Sequence, residues 1–301
     1  MTATLSEPQI SSAPTPPPNS VIDPDADHRF YIHPRTGERF VSITTALGII
    51  DKGGLPPWYG KMAAESVLNN LLPLVQSVHL DPCGQRGWDS CGRCLPCLLA
   101  TIRRAAEVER DAAANRGTRF HHVAEQYALT GQIIPHDADI AGNVLHFLRF
   151  VDIHKVTFHA AEVTAINRAD GYAGTLDAVI VCGWMPPKHR DLIGEPLFTD
   201  WKTGSRIYEQ AALQLAANRH CEAVMLPDGS EHPMPSGHTG LGLSVQIRPD
   251  DFWVRPVDIS DAAHTKFRRA LDLWRDIHQP DIDLVLRAMT KPRTPKEPPC
   301  R

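Results

Sequence analysis

Three short stretches hold the side chains best suited to chemistry. Asp177 lies in GTLDAVIV, Asp200 and Lys202 lie in LFTDWKTG, and His121 lies in GTRFHHVAEQY. The two Asp-bearing stretches are rich in β-branched and aromatic residues and read as strands. Residues two apart in a strand share a face, so Asp200 and Lys202 point one way and Trp201 the other. If the two strands are neighbours, Asp177 joins that face, and two carboxylates and an ammonium converge. Like charges buried side by side need a cation. A hard divalent ion, Mg²⁺ or Mn²⁺, takes one or two carboxylates and leaves its other positions to water and substrate phosphate. Such an ion polarises a phosphoryl oxygen and lowers the pKa of bound water. Lys202 would position that water or offset charge building on phosphorus. The chemistry served is phosphodiester hydrolysis.

Other candidates lie close in sequence. His121 and Glu125, four apart, share a helical face, and a neutral imidazole is a further metal ligand. Gln214, in QAALQLAAN, belongs to the helix after the Asp-Trp-Lys strand, where an amide would contact substrate or the attacking water. Each has a plain structural reading as well. An Asp-x-Lys pair is usually a solvated strand edge, a lone helical His is usually packed or exposed, and a Gln is usually helix surface. Order and setting carry the set: Gly-Thr-x-x-His opens a helix, Gly-x-x-Asp lies in a strand, Asp-x-Lys-Thr-Gly lies in the next, and a Gln-bearing helix follows.

On these motifs the chain resembles the PD-(D/E)XK nuclease superfamily, within it the RecB-like exonuclease branch that includes CRISPR-associated exonucleases and phage-encoded members. The matching stretch runs from Gly117 to Asn218. The resemblance implies an α/β fold: a restriction-endonuclease-like core with a mixed central sheet flanked by helices, here carrying a cysteine metal-binding insertion. It implies that His121, Asp177 and Asp200 are ligands of the active-site Mg²⁺ or Mn²⁺, with the backbone carbonyl of Trp201. It makes Lys202 the catalytic lysine and Gln214 the glutamine of a Gln-x-x-x-Tyr helix motif, whose tyrosine position is Asn218 here. Glu162, in a preceding strand, and Glu125 are expected just behind the ligands. The implied activity is a metal-dependent deoxyribonuclease, an exonuclease of replication, recombination or repair. DNA is the implied substrate and a recombination, annealing or helicase protein the implied partner. An inactive nucleic-acid-binding or scaffolding protein on the same fold is the main alternative. The intact Asp177, Asp200 and Lys202 argue against it.

Cys83, Cys91, Cys94 and Cys97 form a second constellation, with two successive x2 gaps in a Gly-rich segment. Four such thiolates close around zinc or a four-iron cluster, and the two remain open. Either would be structural, because a closed four-thiolate site leaves no position for substrate. An iron–sulfur cluster would also admit a redox-sensing role. His79 is a spare ligand. Cys182 and Cys221 sit in core-like patterns, and Cys300 lies in the tail.

These residues sit in a chain of 301 residues with formal charge −4, 42% hydrophobic and 22% charged. That composition supplies a sizeable core and excludes a globally basic nucleic-acid coat. The run Arg103, Arg104, Arg110, Arg116 and Arg119 either faces phosphates or forms a solvated helix surface paired with Glu107 and Glu109. Trp58 and Tyr59 either stack on bases or pack a helix start. No apolar run is long enough to span a bilayer and a secretory signal is not expected, so a cytoplasmic protein is expected, in the host cytoplasm if phage-encoded.

Residues 1–28 are Pro-rich and expected to be disordered, 29–290 form the nuclease domain with the cysteine knuckle at 79–98, and 291–301 are a loose tail. Two short strands are predicted around Pro34 and Gly37. A helix follows, with Met62, Val67, Leu68, Leu71 and Leu72 on one face, and then a long helix broken near Gly117. A helix over 138–153 leads to three strands, a helix over IYEQAALQLAANRHCEAVM, a hairpin around Pro249–Asp251, and a last helix from DAAH onward.

Overall fold

Three β-rich runs build the centre of the molecule. A computed structural model describes residues 20–23, 28–50, 55–80, 82–83, 91–204 and 209–278. The central strands are β4 (Val156–Asn167), β5 (Tyr172–Cys182) and β6 (Pro196–Lys202), running antiparallel in sequence order. On one side, β1 (Ser20–Asp23), β2 (His28–Ile32) and β3 (Arg39–Ser42) form a meander that joins β5 in parallel. Next to β4 lie β7 (Ala223–Met225) and β8 (Glu231–Pro233). Next to β6, in parallel, lies β9 (Leu241–Ile247), hairpinned to β10 (Phe252–Asp258). The architecture is α/β: one mixed sheet of ten strands among the described residues, flanked by helices.

The helices are α1 (Ile43–Leu47), α2 (Leu55–Asn69), α3 (Leu71–Ser77), α4 (Leu95–Thr130), α5 (Ala141–His154), α6 (Gln210–Arg219) and α7 (Asp261–His278). On one sheet face α4 and α5 bury Phe120, Val123, Phe147 and Phe150 against Ile180, Trp201 and Val245. On the other, α6 and α7 bury Leu215, Ala216, Phe267 and Trp274 over Leu176, Phe198 and Tyr172.

Several expectations need correction. Order begins earlier than residue 29: Ser20–Asp23 pair with His28–Tyr31, because the edge of β2 offers free ladder groups. Residues 1–19, 24–27, 81, 84–90 and 279–301 lie outside the described residues, and with them the expected loose tail, Cys300 and part of the expected cysteine knuckle. The long helix is unbroken at Gly117. Arg116, Arg119 and the Ala112–Ala114 run are good helix formers, and one mid-helix Gly costs only about 1 kcal/mol. Its true end is Gly131, left-handed with φ 70, whose N–H reaches the Tyr127 carbonyl at 2.8 Å. The helix expected through Met225 stops at Arg219. Val224 and its neighbours instead take up the open edge of β4 at Thr164–Ile166. The single helix expected there breaks at Asn70, and Leu68, Leu71 and Leu72 of its apolar face are exposed.

Candidate functional site

The sheet forks where the predicted site residues meet. One edge of β5 pairs with β3 at Tyr172 and Ala173 and with β6 from Ala178 onward, leaving 174–177 between the two partners. Asp177 ends that gap and is buried. Its Oδ2 accepts the Trp201 N–H at 2.7 Å, and its Oδ1 lies 3.6 Å from His121 Nδ1. The same imidazole nitrogen stands 3.5 Å from Glu162 Oε1. One donor atom from each of His121, Glu162 and Asp177 falls within 4.8 Å of the others, close enough to share one ion.

Glu162 reaches this position through an unusual backbone. Its φ is +49, left-handed in the middle of β4. Ala161 and Val163 pair with Ala178 and Leu176, so Glu162 stands across from Asp177. A non-glycine residue in that conformation costs about 1–3 kcal/mol and persists only where its surroundings impose it. Glu162 thus belongs to the cluster itself, closer in than the sequence suggests. Its Oε1 and Asp200 Oδ2 are both buried and accept no hydrogen bond. These two carboxylate oxygens beside an imidazole are donors that a hard cation could take.

Asp200 and Lys202 share one face of β6 and Trp201 takes the other, packing edge-on against Phe147 at 5.5 Å. Lys202 Nζ donates to Asp200 Oδ1 at 2.6 Å and to Gln214 Oε1 at 3.5 Å. The five predicted residues therefore converge from α4, β5, β6 and α6. Burial drives Asp200 up to about 6, against the pull of Lys202. Burial also raises Asp177, with His121 opposing. For His121 burial disfavours the charged ring, yet the Asp177 and Glu162 carboxylates outweigh it and hold the imidazole up at about 9. Excess negative charge is thus met by protons and by Lys202, the condition a bound divalent ion would relieve.

Two neighbours escaped the sequence reading. Ser244 and Gln246 on β9 stand in register with Asp200 and Lys202. Ser244 is fully buried and its hydroxyl has no hydrogen-bond partner. Gln246 donates to the Gly204 carbonyl at 2.6 Å. The available signal was a polar residue at i and i+2 in an otherwise apolar strand.

Other candidates lie elsewhere. Glu125 pairs with His122 at 3.3 Å instead of approaching His121, because i,i+3 neighbours on a helix meet as readily as i,i+4 ones. Arg104, Arg110, Arg116 and Arg119 face Glu107, Asp111, Glu109 and Asp137 with Asp139, so this run reads as an ion-paired helix surface. Trp58 packs edge-on against Tyr59 at 5.4 Å. Asn218, at the motif's tyrosine position, is fully buried with both side-chain polar atoms unpartnered. Cys182 and Cys221 are buried, as expected.

The second constellation closes as well. Cys83, Cys91, Cys94 and Cys97 place their sulfurs within 4.8 Å of one another and could bind a metal ion such as zinc. His79 is not part of that group. The Cys94 and Arg93 amides donate to the Cys91 sulfur and draw its thiol down to about 6. The neighbouring Cys94 thiol drives Cys97 up to about 12, since adjacent sulfurs cannot all carry charge alone.

Compared with family models and with curated proteins, the chain matches none. Among the described residues no helix is long and apolar enough to cross a membrane.

Proposed function

We propose that the chain is a metal-dependent deoxyribonuclease on a PD-(D/E)XK-like core, an exonuclease of DNA replication, recombination or repair. The observation that carries this reading is the meeting of His121, Glu162 and Asp177 at the sheet fork beside Asp200 and Lys202. His121, Glu162, Asp177 and Asp200 would hold a Mg²⁺ or Mn²⁺ ion, and the two orphaned carboxylate oxygens fit that assignment. Bound there, the ion supplies a Lewis acid for a phosphoryl oxygen and a more acidic water.

The chain's own residues do the rest. The Trp201 N–H fixes Asp177 Oδ2, which keeps Oδ1 turned toward His121. Asp200 and Gln214 hold the Lys202 ammonium in place from two sides, so its charge is aimed before substrate arrives. Lys202 is one-third exposed, which lets it reach a phosphate from solvent. The fork leaves this corner of the sheet open while Trp201, Phe147 and Phe150 seal the layer behind it.

The test is digestion of end-labelled linear and covalently closed circular DNA, with Mg²⁺, Mn²⁺, Ca²⁺, no metal or chelator. Loss of linear DNA with Mg²⁺ or Mn²⁺, abolished by chelator, is expected, with the closed circle surviving an enzyme that needs an end. Intact DNA and RNA under every condition would overturn the proposal.

A further inference from the structure

We infer that the four cysteines hold a single zinc ion, not an iron–sulfur cluster, and that this ion is what keeps the α2–α3 segment folded on the start of α4. The inference does not depend on the nuclease reading.

The sulfur spacing discriminates between the metals. Cys83 and Cys97 stand 3.5 Å apart, Cys91 and Cys94 3.5 Å, and Cys94 and Cys83 3.6 Å. A tetrahedral ion with bonds of about 2.3 Å to sulfur sets its four sulfurs about 3.8 Å apart. In a four-iron cluster each thiolate binds a different iron on the outside of an inorganic cube, so the sulfurs stand much farther apart. All four sulfurs here lie within 4.8 Å of one another, a space for one atom. Cys94 is the residue preceding α4 and Cys97 lies in its first turn, so the ion would pin the helix start to the chain arriving from α3.

Packing shows why this part of the molecule needs such a clamp. Among the described residues, none of the four core clusters contains a residue of α2, of α3 or of α4 before Phe120. In α4 the buried residues fall into two groups, Cys97, Leu98, Ile102 and Ala106 at one end and Phe120, Val123 and Ala124 at the other. The helix α4 also packs against α2 and α3, while its second group meets the sheet. Meanwhile Leu68 and Leu72 remain 71% and 67% exposed. A helical segment that buries so little apolar surface lacks the means to hold itself together, the situation in which small units rely on a structural metal.

The experiment uses the full chain purified after growth with both zinc and iron supplied. Elemental analysis and an acid-labile sulfide assay should find one zinc per chain, no labile sulfide and no visible colour. Replacement by Co²⁺ should give the absorption of a tetrahedral thiolate site. Limited proteolysis should then cut within 55–115 only after zinc is stripped with chelator, and returning zinc should restore protection while the sheet stays intact. The Cys94→Ser chain should behave as stripped protein does. A brown protein holding iron and labile sulfide would overturn the metal assignment. Zinc whose removal leaves proteolysis of 55–115 unchanged would overturn its folding role.

Discussion

Lys202 has a position that predicts its mutant. It touches Asp200 and Gln214 at the edge of the site and packs no core cluster. Lys202→Ala should lower DNA cleavage by at least about a hundredfold, since it removes preorganised charge, while the melting temperature stays within a few degrees. Wild-type cleavage by that variant would remove Lys202 from the site. Asp177→Asn should weaken Mn²⁺ binding by calorimetry, since it removes a carboxylate charge from the cluster. Equal affinity in the two chains would contradict the ligand assignment.

At this scale the sequence was informative wherever a motif is local. Asp-x-Lys and Gly-x-x-Asp could be read because strand alternation sets facing directly. Glu162 was expected behind the ligands and not among them, because its place in the cluster follows from a left-handed residue and a cross-strand register. Ser244 could be read as a polar residue in an apolar strand but not placed beside Asp200, because parallel pairing of β6 with β9 joins segments far apart in the chain.

At the scale of elements, two helical glycines give opposite predictions. A Cβ on Gly117 would meet only Thr203 Oγ1, at 3.4 Å, an atom that can rotate away. Gly117→Ala should therefore stabilise the chain by about 0.5–1 kcal/mol, by relieving the backbone entropy of glycine. A Cβ on Gly142 would meet the Pro249 carbonyl oxygen at 2.6 Å and its Cα at 2.9 Å. Gly142→Ala should destabilise by about 1–3 kcal/mol, because α5 cannot approach the β9–β10 turn as closely. Denaturant titration of both variants checks the pair, and stabilisation by both would show that the α5 contact is not tight. Sequence pattern identified the central strands, the hairpin at Pro249–Asp251 and most helices. It misjudged Gly117, where propensity absorbs a weak breaker. It also misjudged Val224, where an open strand edge outweighs helical continuity.

For the whole molecule, the site ties stability to pH and metal. His121 has an ordinary value of 6.5 and is held up at about 9 in the fold. The folded chain therefore binds the extra proton more tightly across that interval. This stabilisation is complete below 6.5 and is lost as pH rises through 9. The metal-free protein should lose more melting temperature between those limits than His121→Gln does, and parallel curves would contradict the cluster's electrostatics.

The central claim is that this corner of the sheet cuts DNA with the help of a divalent ion. The most direct measurement is release of nucleotides from end-labelled linear DNA in Mg²⁺ by wild type and by Lys202→Ala, with DNA binding followed in the same samples. Equal binding with release by the wild type alone is the predicted result. Binding without release by either chain would contradict the claim and leave a DNA-binding protein on this fold.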